Sequence, residues 1–171
     1  MRTRIPGKFS LMDAQLASLM DVFKKNYLVY GLPDVAIEEI AELGEFKVAL
    51  AGEKLLAKGD KSSDLFVVLD GHVHIYGPEG ERIGTVDPPS VLGEIALVDD
   101  LGRTADAVCA GLVKVVRLPG KELRKCMSSK KEYGFVMLSN LSRVLSMRLR
   151  KTNVQLINLM GKSTDLWKNV T

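Results

Sequence analysis

Gly93-Glu94-Ile95-Ala96-Leu97, followed after a polar turn by Arg103-Thr104-Ala105, is the stretch of this 171-residue chain whose residue types and spacing could do chemistry. A glycine ahead of a short apolar helix can take a positive φ at no steric cost and lets backbone approach a ligand. The first amides of a helix have no partner inside it and point outward as donors. Together with the positive end of the helix dipole they favour an anion. Arg103 stands nine positions beyond Glu94. An arginine is always charged and grips a phosphate through a fork of donors. A carboxylate beside that phosphate would be repelled unless hydroxyl groups donate to it, and a phosphate joined to a ribose offers both groups. The competing explanation is a plain Glu94–Arg103 ion pair.

The elements around this stretch must hold it in place. Glu45 to Ala51, Glu53 to Ala57, Asp64 to Asp70, His72 to Tyr76, Glu81 to Val86, Asp106 to Ala110 and Leu112 to Leu118 read as short strands, punctuated by glycine and proline. That spacing predicts an antiparallel barrel or jelly roll. With helices on either side, the fold class is α+β. Ahead of the strands, Ser10 to Asp13 can cap a helix. Leu16, Leu19, Met20, Phe23 and Tyr27 then recur at helical spacing, and Gly31 is the expected stop. Pro33-Asp34 opens a second helix with Ile37 and Ile40 on its buried side. After the strands, Lys121 to Lys125 reads as a short helix and Lys131 to about Met160 as a long one, about 45 Å end to end.

Composition narrows the class. A hydrophobic fraction of 46% and a net charge of +3 fit a globular protein and do not point to nucleic acid. No apolar run reaches membrane-spanning length, and the basic Met1–Pro6 segment lacks the apolar core of a secretory signal. Cys109 and Cys126 are expected as reduced thiols in a cytoplasmic protein. His72 and His74, with no third ligand type nearby, do not make a metal site. No catalytic residue is assigned, because hydrolysis of a phosphodiester would need a metal cluster or a positioned base.

Gly93-Glu94-Ile95-Ala96-Leu97 with Arg103-Thr104-Ala105 resembles the phosphate-binding cassette of the cyclic nucleotide-binding domain family. Gly59-Asp60, Asp64-Leu65-Phe66 and Gly71 match the turn spacing of that family's β-roll. The resemblance implies a ligand, cAMP or cGMP, and no other cofactor. It implies that Glu94 accepts from the ribose 2′-hydroxyl and that Arg103 pairs with the exocyclic phosphate oxygens. The amides of Ile95 and Ala96 would bind the same phosphate, with Thr104 beside phosphate and base. Val73, Ile75, Val86 and Leu92 would line the apolar slot that small-molecule pockets provide. The cassette departs from the kinase-type pattern at Gly102, where proline is usual, and at Asp106, where threonine or serine is common.

The long helix carries a second signal. Leu138, Ser142, Leu145, Leu149, Thr152, Leu156 and Leu159 alternate in steps of four and three, the heptad spacing of a coiled coil. A seam of that length exceeds what one small roll can cover, which favours a symmetric homodimer over a helix folded back as a lid. Leu149 to Asn153 also resembles the dimerisation helix of the family's bacterial catabolite activators, which implies that Thr152 and Asn153 face the base. The expected organisation is an N-terminal helical extension (1–31), the roll (32–127), a lid or dimerisation helix (128–161) and a loose tail (162–171). The expected function is a regulatory module without DNA or membrane contact that passes its signal to a downstream protein. The alternative is a ligand-free interaction module on the same fold.

Overall fold

The computed structural model describes residues 18–168. Among them, eight strands form two four-stranded antiparallel sheets: β1 (Glu45–Ala49), β2 (Lys54–Leu56), β3 (Leu65–Asp70), β4 (Val73–Tyr76), β5 (Arg82–Val86), β6 (Ser90–Leu92), β7 (Asp106–Cys109) and β8 (Val113–Leu118). One sheet runs β1-β8-β3-β6 and the other β2-β7-β4-β5. The seven predicted strands are all present, each trimmed by a residue or two. β6 is the addition. It holds only three residues between Pro89 and Gly93, too few to show an alternation, yet it pairs Val91 with Val67 of β3.

β3 explains the architecture. Its run Leu65-Phe66-Val67-Val68-Leu69 is apolar without alternation, and all five residues are buried. Successive side chains of a strand point to opposite faces, so both faces of this one must be covered. Phe66 and Val68 enter the core between the sheets, with Val73, Leu92, Ala107, Val113 and Val115. Leu65, Val67 and Leu69 enter the second core, under the helices. A fully buried aliphatic side chain in such a core contributes about 1.5–3 kcal/mol.

The helices that supply the second core are α1 (residues 18–24), α2 (Asp34–Glu42), α4 (Gly120–Ser129) and α5 (Lys131–Lys168), with a 3₁₀ turn at Tyr27–Val29. A further short helix, α3 (Glu94–Asp99), interrupts the roll. The first helix ends sooner than its apolar spacing predicts. Asn26 takes an extended conformation, and its side chain accepts from the Leu28 amide at 2.9 Å, which starts the 3₁₀ turn. The cap expected at Ser10 to Asp13, and Leu16, lie outside the described residues.

α5 also differs from expectation. Its first half packs on its own roll through Met137, Asn140, Leu141 and Val144, all buried. Asn140 donates to the carbonyls of Leu28 and Tyr30 at 3.2 and 2.8 Å, which ties the helix to the 3₁₀ turn. The heptad seam lies on another side: Leu138 is 47%, Leu149 62% and Leu156 54% exposed. The side chain of Leu159 lies outside the described set. The helix does not end near Met160 but continues to Lys168, so the tail expected to be loose from 162 is helical that far. A single glycine, Gly161, costs a helix only about 1 kcal/mol, and no proline follows it. Residues 169–171 lie outside the described residues.

Candidate functional site

A cavity of about 680 Å³ opens where α3 breaks the roll. Its walls come from β4 and β5 (Ile75, Thr85, Val86), from β6 and the start of α3 (Leu92 to Ala96), from the loop into β7 (Gly102 to Asp106) and from α5. Ile75, Val86 and Leu92 therefore lie on the wall, as predicted for the apolar slot. Val73 does not. Its side chain shares the inward face with Ile75 and Val86 but is fully buried in the core between the sheets.

Gly93 sets the geometry at the mouth. It caps α3 with φ +89°, and a β-carbon there would overlap the Arg103 guanidinium. Leu97 is the first residue of the turn to bond back, to Gly93 O at 3.3 Å. Among the described residues, no group accepts from the amides of Ile95 and Ala96. These two donors, both on residues of the cavity wall, carry the positive end of the short helix.

Arg103 is held by backbone. Its amide donates to Asp60 O at 2.8 Å, and its carbonyl accepts from the Gly59 amide at 2.9 Å. Gly102, just before it, has φ +93°, a value closed to proline, so the departure at this position follows from how the loop enters. Arg103 as a whole is only 5% exposed. Nη1 donates to Gly93 O at 3.2 Å, and Nη2 to Ser62 Oγ and Asp64 O at 3.1 and 2.5 Å. Nε is buried with no acceptor among the described residues. All three partners are neutral. Burial lowers the guanidinium's affinity for its proton, partly offset by the charges of Asp64 and Asp60. The result is a buried cation facing a cavity without a counter-charge in contact.

Glu94 is not that counter-charge, so the plain Glu94–Arg103 pair does not form. The Glu94 carboxylate, 2% exposed, is ion-paired through Oε1 with Arg148 Nη1 of α5. Arg148 Nη2 also donates to Val91 O at 3.2 Å. Asp106 lies on the wall, yet its charge is engaged elsewhere: it accepts from Lys54 Nζ at 2.8 Å and from the Lys58 amide at 2.7 Å. These bonds, led by the one from Lys54, hold its carboxyl below the usual aspartate range.

α5 adds one row of side chains to the wall: Arg148, Lys151, Thr152 and Gln155. Thr152 was predicted there. Asn153, predicted beside it, is exposed and off the wall. Arg148, Lys151 and Gln155 were not foreseen as site residues. Their signal was present, since Arg148 and Gln155 stand four and three positions from Thr152, and Lys151 stands three and four from those two, on one helical face, but the apolar seam of the same helix masked it. Thr104 lies on the wall with an exposed side chain. His72 and His74 lie outside it, bonded to Asp87 and Thr85. Among the described residues no cluster of three metal-binding side chains occurs.

Comparison with known proteins gives this geometry a context. Residues 46–130 match the model of the cyclic nucleotide-binding domain. A CRP-like cAMP-activated global transcriptional regulator of Mycobacterium tuberculosis is 31% identical over 113 residues, 64% of this chain and 49% of that protein. Glutaminase 1 of Bradyrhizobium diazoefficiens is 28% identical over 127 residues, 72% of this chain but 21% of that one. The chain thus spans from about a fifth to a half of these relatives' length. A cyclic nucleotide-binding domain from Methylobacillus flagellatus shares the fold, with a TM-score of 0.73 at 19% identity over 85% of this chain and 84% of that one.

Proposed function

Residues 46–130 belong to the cyclic nucleotide-binding domain family, and from that premise we propose that the chain is a cyclic-nucleotide sensor whose ligand occupies the cavity and is read out by α5. The observation that carries this reading is Arg103: a buried guanidinium with an unpaired Nε and no carboxylate, beside two unengaged amides. A phosphate supplies the missing acceptor and charge in one group. Arg103 and the amides of Ile95 and Ala96 hold the phosphate. Glu94 keeps Arg148 on Oε1 and offers Oε2 to the ribose 2′-hydroxyl. Ile75, Val86 and Leu92 take the apolar part of the base.

The base then meets α5 at Thr152, with Thr104 at its other edge. A ligand shifts an equilibrium only through contacts that differ between two states, and the α5 row supplies contacts that depend on where that helix lies. Asn153, off the wall of its own chain, serves a ligand only across a homodimer formed through the exposed α5 seam. The messenger is cAMP or cGMP, and the cAMP-activated regulator among the relatives favours cAMP. The chain acts by binding and passes its state to a downstream protein; the glutaminase activity in one relative's name is not carried across a match to a fifth of that protein. The experiment is calorimetric titration of the chain with cAMP and with cGMP. Saturable binding of either one at one site per chain is expected, and heat-silent titrations with no change in thermal midpoint reject the reading.

A further inference from the structure

We infer that Arg124 is a positioning residue that clamps the phosphate-binding turn to the C-terminal helices; the inference rests on the reading of that turn given above. α3 has six residues, too few to satisfy its own terminal carbonyls. It is capped at its C-terminus by Asp100, which sits in the left-handed region with φ 58°. Arg124, on α4, supplies the donors. Nε bonds to Leu97 O at 3.1 Å, and Nη2 to Ala96 O at 2.9 Å and to Asp100 Oδ1 at 2.9 Å. Ala96 thus gives its amide to the cavity and its carbonyl to Arg124. A cation at this end also complements the dipole whose other end faces the anion.

A second tie reaches the same helix. The Asp64 carbonyl accepts from Arg103 Nη2, while the Asp64 carboxylate accepts from the amide of Gly120, the first residue of α4, at 3.0 Å. Both halves of the anion site are therefore tied to α4, the guanidinium through Asp64 and the turn through its carbonyls. Only Lys130 separates α4 from α5, and α5 returns Arg148 to Glu94. Apolar packing joins these elements too, since Leu97 is buried in one core with Leu123, Met137 and Leu141, while a groove of about 440 Å³, lined by Val98, Met127, Phe135 and Leu138, opens beside it. The polar bonds of Arg124 add direction to that packing, so a shift of α3 on binding must either move α4 or break them.

Hydrogen–deuterium exchange on the full chain tests this, with and without cAMP, in the wild type, Arg124→Gln and Arg124→Lys. Without ligand, Arg124→Gln is expected to speed exchange in peptides covering 94–100 by about tenfold, the mark of local opening, with β3 and β8 unchanged. Arg124→Lys, which reaches fewer acceptors, should give a smaller acceleration confined to the same peptides. With cAMP, the wild type should gain protection in 94–100 and in 131–144, a part of α5 that does not line the cavity, and Arg124→Gln in 94–100 alone of these two. Unchanged ligand-free exchange at 94–100 in both variants overturns the clamp, as does full protection of 131–144 in Arg124→Gln. If cAMP changes nothing in the wild type, the binding reading fails, while the ligand-free comparison still decides the clamp. If Arg124→Gln also loosens β3 and β8, Arg124→Lys decides it alone: local acceleration supports the clamp and none overturns it.

Discussion

Glu94 and Arg148 each depend on the other. The carboxylate is almost fully buried, and the guanidinium reaches it from a helix whose sequence position is more than fifty residues away. Removing one partner strands a buried charge. Because the Arg148 side chain is 41% exposed, water softens the penalty, and Arg148→Gln should cost roughly 1–3 kcal/mol in urea unfolding. Adding Glu94→Gln should restore most of that loss, and a strictly additive double variant would contradict the pairing. Asp106 gives a pH test. Its folded-state carboxyl lies below the ordinary value of 3.8, chiefly through the bond from Lys54 and then the Lys58 amide. A depressed acid stabilises the fold above its ordinary value, and the gain is lost as pH falls through the folded one. Asp106→Asn should therefore be less stable than the wild type near neutrality and equal to it in strong acid; an equal difference at both ends would count against the bonds. Arg103 was legible as a candidate phosphate ligand because its type and its spacing from Glu94 suggest one. Arg148 was not, because its role depends on where α5 crosses the roll.

At the scale of elements, α5 does two jobs on two faces. Met137, Asn140, Leu141 and Val144 hold it to its own roll, and the face with Leu138, Leu149 and Leu156 stays open. Leu138, Leu149 and Leu156 of the heptad spacing belong to the open face, while Leu145 is half-buried, Thr152 turns to the cavity and the packing on the roll follows a second row that the seam concealed. If the open face joins two copies, sedimentation velocity at micromolar concentrations should show a dimer, and Leu149→Glu with Leu156→Glu should give a monomer. A monomeric wild type would contradict the seam. Strand positions were readable because glycine and proline mark the turns. β6 was not, being three residues long and held by pairing with β3 rather than by its own pattern. The early end of α1 follows from a side-chain bond of Asn26, which periodicity does not register.

At the scale of the molecule, the roll exists to hold a gap. Two sheets close around one core, helices cover the outer face of one sheet, and α3 enters where strand pairing stops. The class of fold could be read from strand spacing, whereas the order of strands in each sheet could not, since pairing joins segments far apart in sequence. The cavity lies between that frame and α5, so a ligand there touches both. Everything functional turns on whether the buried cation at the mouth holds an anion. Calorimetric titration of the wild type and of Arg103→Ala with the same cyclic nucleotide asks this directly. The account predicts saturable binding to the wild type and a loss of about 2–5 kcal/mol in the variant, roughly thirty-fold to several-thousand-fold in affinity. Equal affinity in the two proteins would contradict it.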